Sequence, residues 1–289
     1  MQSLRALKQK IKAVRNIRQI TQAMKMVAAA RLQRIQAKAL SSSPYSNGLE
    51  RIVSAVAPHI TTAEHPLLKA NESDFVGLVV VTSDKGLCGA YNTNVIREAG
   101  EFISEQEMAN KKVMLYCIGR KGITYFTKRN SNVKGTAPQI SVRQPYEDAK
   151  RISSELMEWY LSGEICELHF VYTGFISAAL FKVMRKKLLP IEIGHERMVM
   201  LEYIFEPPPE VLLSVLLPKY FEVQVCQMLL EAFACEQLAR VQAMTIASDN
   251  ATEMLDKLTL ELNKARQWSI TKELLEITTA AEALRRFQR

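Results

Sequence analysis

The final 71 residues, 219–289, contain neither proline nor glycine, and the first 43 contain none either. One helix through the last stretch would run roughly 100 Å, and one through the first about 60 Å, at about 1.5 Å rise per residue. A compact domain built from 289 residues is only tens of ångströms across. Helices this long must project from it or pair with each other.

Periodicity favours pairing. Val241, Met244, Ser248, Ala251, Leu255, Leu258, Leu262, Ala265 and Ser269 follow one another in steps of three and four, a heptad seam. Its small members allow close helix approach. At the other end Leu4, Leu7, Ile11, Val14, Ile17, Ile20, Met24 and Val27 keep similar spacing, with consecutive threes from Val14 to Ile20. Such a slip predicts local overwinding of a coiled coil.

The middle of the chain reads differently. Residues 75–81 form a buried-strand run, 112–119 a second and 167–172 a third, with helical patterns over 94–110, 120–129 and 147–161 between and around them. Strands alternating with helices predict a small Rossmann-like α/β layer with parallel pairing. Tyr203-Ile204-Phe205-Glu206 before Pro207-Pro208-Pro209 reads as a further strand and a stop. Ser41-Ser42-Ser43-Pro44 reads as a helix end or turn, and Val211 to Leu217 as a short core helix. The predicted organisation is an α/β fold in which a long antiparallel coiled coil of N- and C-terminal helices (1–57 and 209–289) carries an inserted α/β domain (75–207).

Charge is concentrated in one segment. Residues 1–49 carry ten Lys and Arg and no acid, so the net +8 becomes −2 over the remainder. A nucleic-acid arm, an import peptide and a helix meeting acidic partners all have this character. Arg5, Lys8, Lys12 and Arg15 form a stripe beside the seam, but the first aromatic residue is Tyr45, so nothing there stacks on bases. No run approaches the roughly 20 apolar residues of a membrane span. Five scattered cysteines without a CxxC pair specify neither a zinc site nor a disulfide framework. The turn Ser83-Asp84-Lys85-Gly86-Leu87-Cys88-Gly89-Ala90 follows a strand, where nucleotide sites sit, yet lacks both glycine-rich phosphate signatures. The four histidines are dispersed, so Cys88 has no nominated base. No catalytic residue, cofactor site or metal site is assigned.

Several motifs, in order, carry a family resemblance. Ile20-Thr21-Gln22-Ala23-Met24-Lys25-Met26-Val27-Ala28-Ala29-Ala30-Arg31 resembles the N-terminal helix of F-type ATP synthase gamma subunits. Thr82-Ser83-Asp84-Lys85-Gly86-Leu87-Cys88-Gly89-Ala90-Tyr91-Asn92 resembles the first turn of their middle domain. Ala247-Ser248-Asp249-Asn250-Ala251, residues 258–267 and Ile270-Thr271-Lys272-Glu273-Leu274-Leu275-Glu276 are similar to their C-terminal helix. The chain departs from the family with Ala280-Ala281 in place of Gly-Ala, and with a basic end, Arg285 to Arg289. It lacks a redox insert between Ile191 and Pro209, and its first helix starts too near Met1 for an import peptide, which points to a bacterial protein.

The resemblance implies a non-catalytic rotor: a coiled coil standing in a ring of three alpha and three beta subunits, with the α/β domain as a foot on epsilon and the c-ring. It implies contacts to the alpha/beta ring through Met24 and Lys25 on one helix and nearby Arg266 and Gln267 on the other, and to the c-ring or epsilon through Tyr203 and Glu206. It also implies peripheral attachment at the cytoplasmic face of the bacterial inner membrane. One charge crossing 100 mV supplies about 2.3 kcal/mol, so such a shaft must accumulate several protons per ATP. The competing reading is a nucleic-acid-binding coiled-coil protein, which salt-dependent DNA binding would reveal.

Overall fold

The structure, a computed structural model, describes residues 3–56, 65–129, 131–140, 144–176, 180–192 and 205–287, the side chains of 43 and 282–287 excepted. Helix α1 spans Leu4–Val56 and α5 spans Pro209–Phe287. Between them lie β1 (Phe75–Val81), α2 (Tyr91–Met108), β2 (Lys112–Ile118), α3 (Arg120–Lys128), β3 (Val133–Ala137), α4 (Pro145–Leu161), β4 (Glu167–Phe175) and β5 (Phe181–Leu189). The chain divides into two compact units, 28–240 and 1–27 with 241–289. The dividing lines fall inside both long helices.

In the 28–240 unit the strands form one sheet of order β3-β2-β1-β4-β5. β1 pairs in parallel with β2 and β4, and β2 with β3, while β5 runs antiparallel to β4. Alternation along β1 feeds two cores. Val76, Leu78 and Val80 pack with Val95, Ala99 and Phe102 of α2 and Phe126 of α3. Val79 and Val81 face the opposite core, shared with Ile152 and Leu156 of α4, Leu49 and Val53 of α1, and Leu217, Phe221 and Leu229 of α5. Each β1 residue serves one face only, because successive side chains in a strand point to opposite sides.

The two long helices run antiparallel here. Arg31 shares a cavity with Arg240, Ser46 accepts a hydrogen bond from Gln227, and Glu50 acts electrostatically on Tyr220, so one number rises as the other falls.

Four expectations need correction. Residues 41–44 do not end the first helix, because α1 continues through Pro44. The hydroxyls of Ser41 and Ser42 donate to the carbonyls of Lys38 and Ala39 at 2.8 and 3.0 Å, and burial of Leu49, Val53 and Val56 holds the continuation. Likewise 211–217 is the start of α5, which passes through Pro218. The sheet has two strands beyond those read from the pattern, β3 and β5. Finally, Phe205 and Glu206 lie outside any strand, while Tyr203 and Ile204 fall outside the described residues.

Candidate functional site

In the unit formed by 1–27 and 241–289, the C-terminal seam is the buried one. Met244, Ala251 and Leu255 are buried, and Val241, Ser248, Leu258, Leu262, Ala265 and Ser269 are half-buried. On α1 the covered positions of this unit are Leu4, Ala6, Leu7, Ile11, Val14, Arg18, Thr21, Met24 and Lys25. This corrects the expected run of threes: the steps after Val14 keep alternating four and three, and no overwinding is needed. Thr21 can be buried because its hydroxyl donates to the Arg18 carbonyl at 2.9 Å. Ile17, Ile20 and Val27 are left more than half exposed, at 52%, 58% and 54%. Ile246, Leu260, Trp268 and Ile270 on α5 are exposed as well. Both helices thus bury a narrow seam and present large apolar side chains outward.

Of the residues assigned to ring contact, Arg266 and Gln267 are exposed and off the seam, and Met24 and Lys25 are half-buried. Glu206 is exposed, and Tyr203 is outside the described residues.

The second candidate lies in the 28–240 unit, at the C-terminal edge of the parallel strands. There β1 sits where the strand order switches, between β2 and β4. Open α/β sheets take their ligands in the crevice at that point. Here α5 fills it. The Arg240 guanidinium donates to the carbonyls of Lys85 and Gly86, both at 3.3 Å, and contacts Glu236 at 2.5 Å. Gln139 donates to the other oxygen of Glu236, and the Tyr91 hydroxyl donates to the Ala232 carbonyl at 3.1 Å. Burial raises the carboxyl pKa of Glu236, with Arg240 pulling it back. The turn therefore offers carbonyl oxygens to a cation instead of N–H groups to a phosphate. The space remaining between Arg31, Lys85, Gln139, Glu236 and Arg240 is a cavity of about 160 Å³.

The other polar residues of this turn hold the fold. Asp84 accepts the Arg120 N–H at 3.0 Å, satisfying an orphan donor at the start of α3. Asn92 accepts the Ser83 N–H at 2.9 Å and donates to the Ser83 hydroxyl at 2.8 Å. Leu87 stands 60% exposed at the tip with φ +62°, a left-handed backbone that bulky residues rarely adopt.

Cys88 is buried, and desolvation raises its pKa against the opposing pull of the Ser83 hydrogen bond and Arg240. All five thiols are free and buried. Burial pushes Cys117 and Cys235 up to about 12 and Cys226 to about 11. Since the thiolate is the nucleophile, native protein should resist thiol reagents at mildly alkaline pH, and dithiol treatment should leave its activity unchanged. Rapid stoichiometric labelling of the folded chain would contradict this. Among the described residues no cluster of His, Cys, Asp and Glu could hold a metal, and no helix is long and apolar enough to cross a membrane.

Sequence reasoning overlooks Glu231, Glu236, Arg240 and Gln139. One signal is available: Glu236 and Arg240 stand four apart, a supporting pair on a helix face, inside the largely apolar tract 225–244.

Comparison with known proteins bears on the whole chain. A family model described as ATP synthase matches residues 3–284. The ATP synthase gamma chain of Solibacter usitatus is 42% identical over 287 residues, 98% of this chain and 99% of that one. The gamma chain of Desulfitobacterium hafniense is 41% identical over 284 residues, 98% of this chain and 100% of that one. In fold, the chain is similar to one from the Euglena gracilis mitochondrial ATP synthase, with a TM-score of 0.66 at 18% identity, covering 99% of this chain and 96% of that one. It is also similar to a chain of the central stalk and c-ring structure from Tetrahymena thermophila, with a TM-score of 0.58 at 23% identity, covering 79% and 99%.

Proposed function

The chain belongs to the ATP synthase gamma-chain family, and from that premise we propose that it is the central rotor stalk of a proton-translocating F-type ATP synthase. It carries no catalytic site of its own. It couples rotation of the c-ring to conformational change at the catalytic beta subunits, one gamma serving three alpha and three beta. Epsilon and the c-ring meet its foot, where exposed Glu206 and Tyr203 make contact. Attachment to the cytoplasmic face of the bacterial inner membrane is indirect, through the c-ring. No nucleic acid, cofactor or metal enters this reading.

The observation that carries it is the outward apolar surface of the 1–27 and 241–289 pair. Soluble monomers rarely expose large contiguous apolar patches, and such surface marks protein interaction sites. Ile17, Ile20, Leu260, Trp268 and Ile270 are each more than half exposed, which suits a shaft enclosed by a sleeve of other subunits. The same helices present Arg5, Lys8, Lys12, Arg15 and Arg266 to solvent, cations for acidic segments of that sleeve. A surface of this kind bears on its partners and does no covalent chemistry.

Arg266 and Gln267 provide the sharpest test. The planar guanidinium can bond a carboxylate or two carbonyls as a fork. Loss of one partner from an interfacial charged hydrogen bond costs about 2–5 kcal/mol, whereas truncating a solvated surface residue costs within about 0.5 kcal/mol. Arg266→Ala with Gln267→Ala should impair assembly with alpha and beta subunits, or ATP-driven rotation, while the free subunit melts as wild type does. Co-expression supplies the control: an active ATPase complex should form only when this chain is present. Wild-type assembly, ATPase rate and proton pumping in the double variant would rule out a contact role.

A further inference from the structure

The 28–240 unit must pass torque between its sheet and α5, and most of the contact is apolar. Leu217, Phe221, Val225 and Leu229 pack into the core under the sheet. Burial of apolar surface is non-directional. It favours close packing but does little to fix the angle of a helix about its own axis. A directional bond is needed to set that angle.

Glu231 makes one. Its carboxylate accepts the backbone N–H of Phe175 at 2.6 Å. Phe175 is the last residue of β4 and is paired with Phe181 at the start of β5. The acceptor is ionic, so the bond is stronger than a neutral one. The Tyr172 hydroxyl, also on β4, interacts with the same carboxylate, so groups of one strand hold its charge. Gly174 keeps the approach open. A Cβ there would lie 2.8 Å from the Met184 sulfur and 3.0 Å from Glu231 Oε1, so a side chain at 174 would press on the Met184 thioether and push the carboxylate back by a few tenths of an ångström. The Tyr91 hydroxyl on the Ala232 carbonyl and Arg240 on the turn after β1 hold the same stretch of α5.

We propose that Glu231 is a positioning residue for torque transfer, its carboxylate locking the rotational setting of α5 to the end of β4. This rests on the central-stalk reading. Under load, a helix turning against the sheet strains this bond before the apolar contacts.

The test uses the complete enzyme in inverted membrane vesicles, with ATP hydrolysis and ATP-driven proton uptake measured together. Glu231→Ala should lower the protons moved per ATP severalfold while hydrolysis continues. Glu231→Gln keeps an acceptor oxygen and should couple nearly as wild type. Gly174→Ala, which presses on the carboxylate from the strand side, should give a smaller deficit of the same sign with Glu231 intact. A purely structural role would lower the melting temperature of the free subunit without moving the ratio. Wild-type ratios in both alanine variants would overturn the proposal. So would loss of assembly in both with normal coupling in Glu231→Gln, since that outcome assigns the bond to folding alone. Failure of the unmodified chain to support any coupled complex would instead count against the stalk reading.

Discussion

Gly119→Ala should prevent accumulation of folded protein, or destabilise it by about 4 kcal/mol or more, beyond the range of ordinary point changes. Gly119 sits between β2 and α3 with φ +89°. An L side chain at such an angle already costs about 1–2 kcal/mol. Steric overlap costs more: a Cβ there would lie 2.2 Å from the carbonyl oxygen of Thr82 and 2.6 Å from its carbon. Those are backbone atoms at the end of β1 and cannot swing aside. The Thr82 N–H donates to the Ile118 carbonyl at 2.8 Å, and the Gly119 N–H donates to the Ala137 carbonyl at 2.9 Å. Relief of the clash would therefore pull three strands apart at the edge that also holds α5. Urea unfolding of the free subunit measures the effect. A midpoint equal to that of the unmodified chain would show that the backbone has room for the methyl group.

That close approach is invisible in the sequence, and the reason is general to this fold. Local signals identify the elements whose stability is local or periodic. The proline- and glycine-free ends are helices, and β1, with Val79, Val80 and Val81 in one apolar run, is the central strand. Local signals fail where tertiary contacts outweigh a local cost. A proline in a helix interior costs about 3 kcal/mol, yet α5 passes through Pro218 because Leu213, Leu217 and Phe221 on either side are all but fully buried. β5 escapes pattern reading because Lys182, Arg185, Lys186 and Lys187 stand among its nine residues. Charges suit an edge strand, where they discourage pairing with other chains, but they hide its hydrophobic period.

The seam of α1 shows a different limit. Ile17 and Ile20 draw the pattern toward themselves, but the structure covers Arg18 and Thr21 and leaves both isoleucines outside. An apolar residue reports that something will cover it, not whether the cover belongs to the same chain. In a subunit that works inside an assembly the two kinds of burial mix, and periodicity alone cannot sort them. Exposure of Arg266 and Gln267 is legible because it needs only the position of one seam. The Glu236 and Arg240 network is not, because its partners come from 85–86 and 139 as well as α5.

Arg240→Ala should destabilise the subunit by about 3–5 kcal/mol, the usual result of removing one partner from a buried ion pair. Glu236 is only 2% exposed, and without Arg240 its carboxylate keeps just the Gln139 and Gln237 amides as donors. The loss should depend on pH, with a definite sign. Burial already raises the Glu236 pKa above its unfolded value, and the Arg240 charge and hydrogen bond oppose that rise. Removing Arg240 raises the folded pKa further. A group with a raised folded pKa binds its proton more tightly in the native state, so stability falls as pH climbs above the unfolded carboxyl range near about 4.3. The variant should consequently recover part of its deficit on acidification from neutral pH towards 5, relative to the unmodified chain at each pH. Glu236→Gln combined with Arg240→Met should restore most of the stability at neutral pH, because replacing both charges removes the desolvation cost along with the attraction. A deficit of the same size at every pH would mean that Glu236 is not the group left unpaired. The double replacement separates fold from coupling: it preserves packing but cannot hold the carbonyls of Lys85 and Gly86. A complex built with it should be stable while transmitting rotation less faithfully.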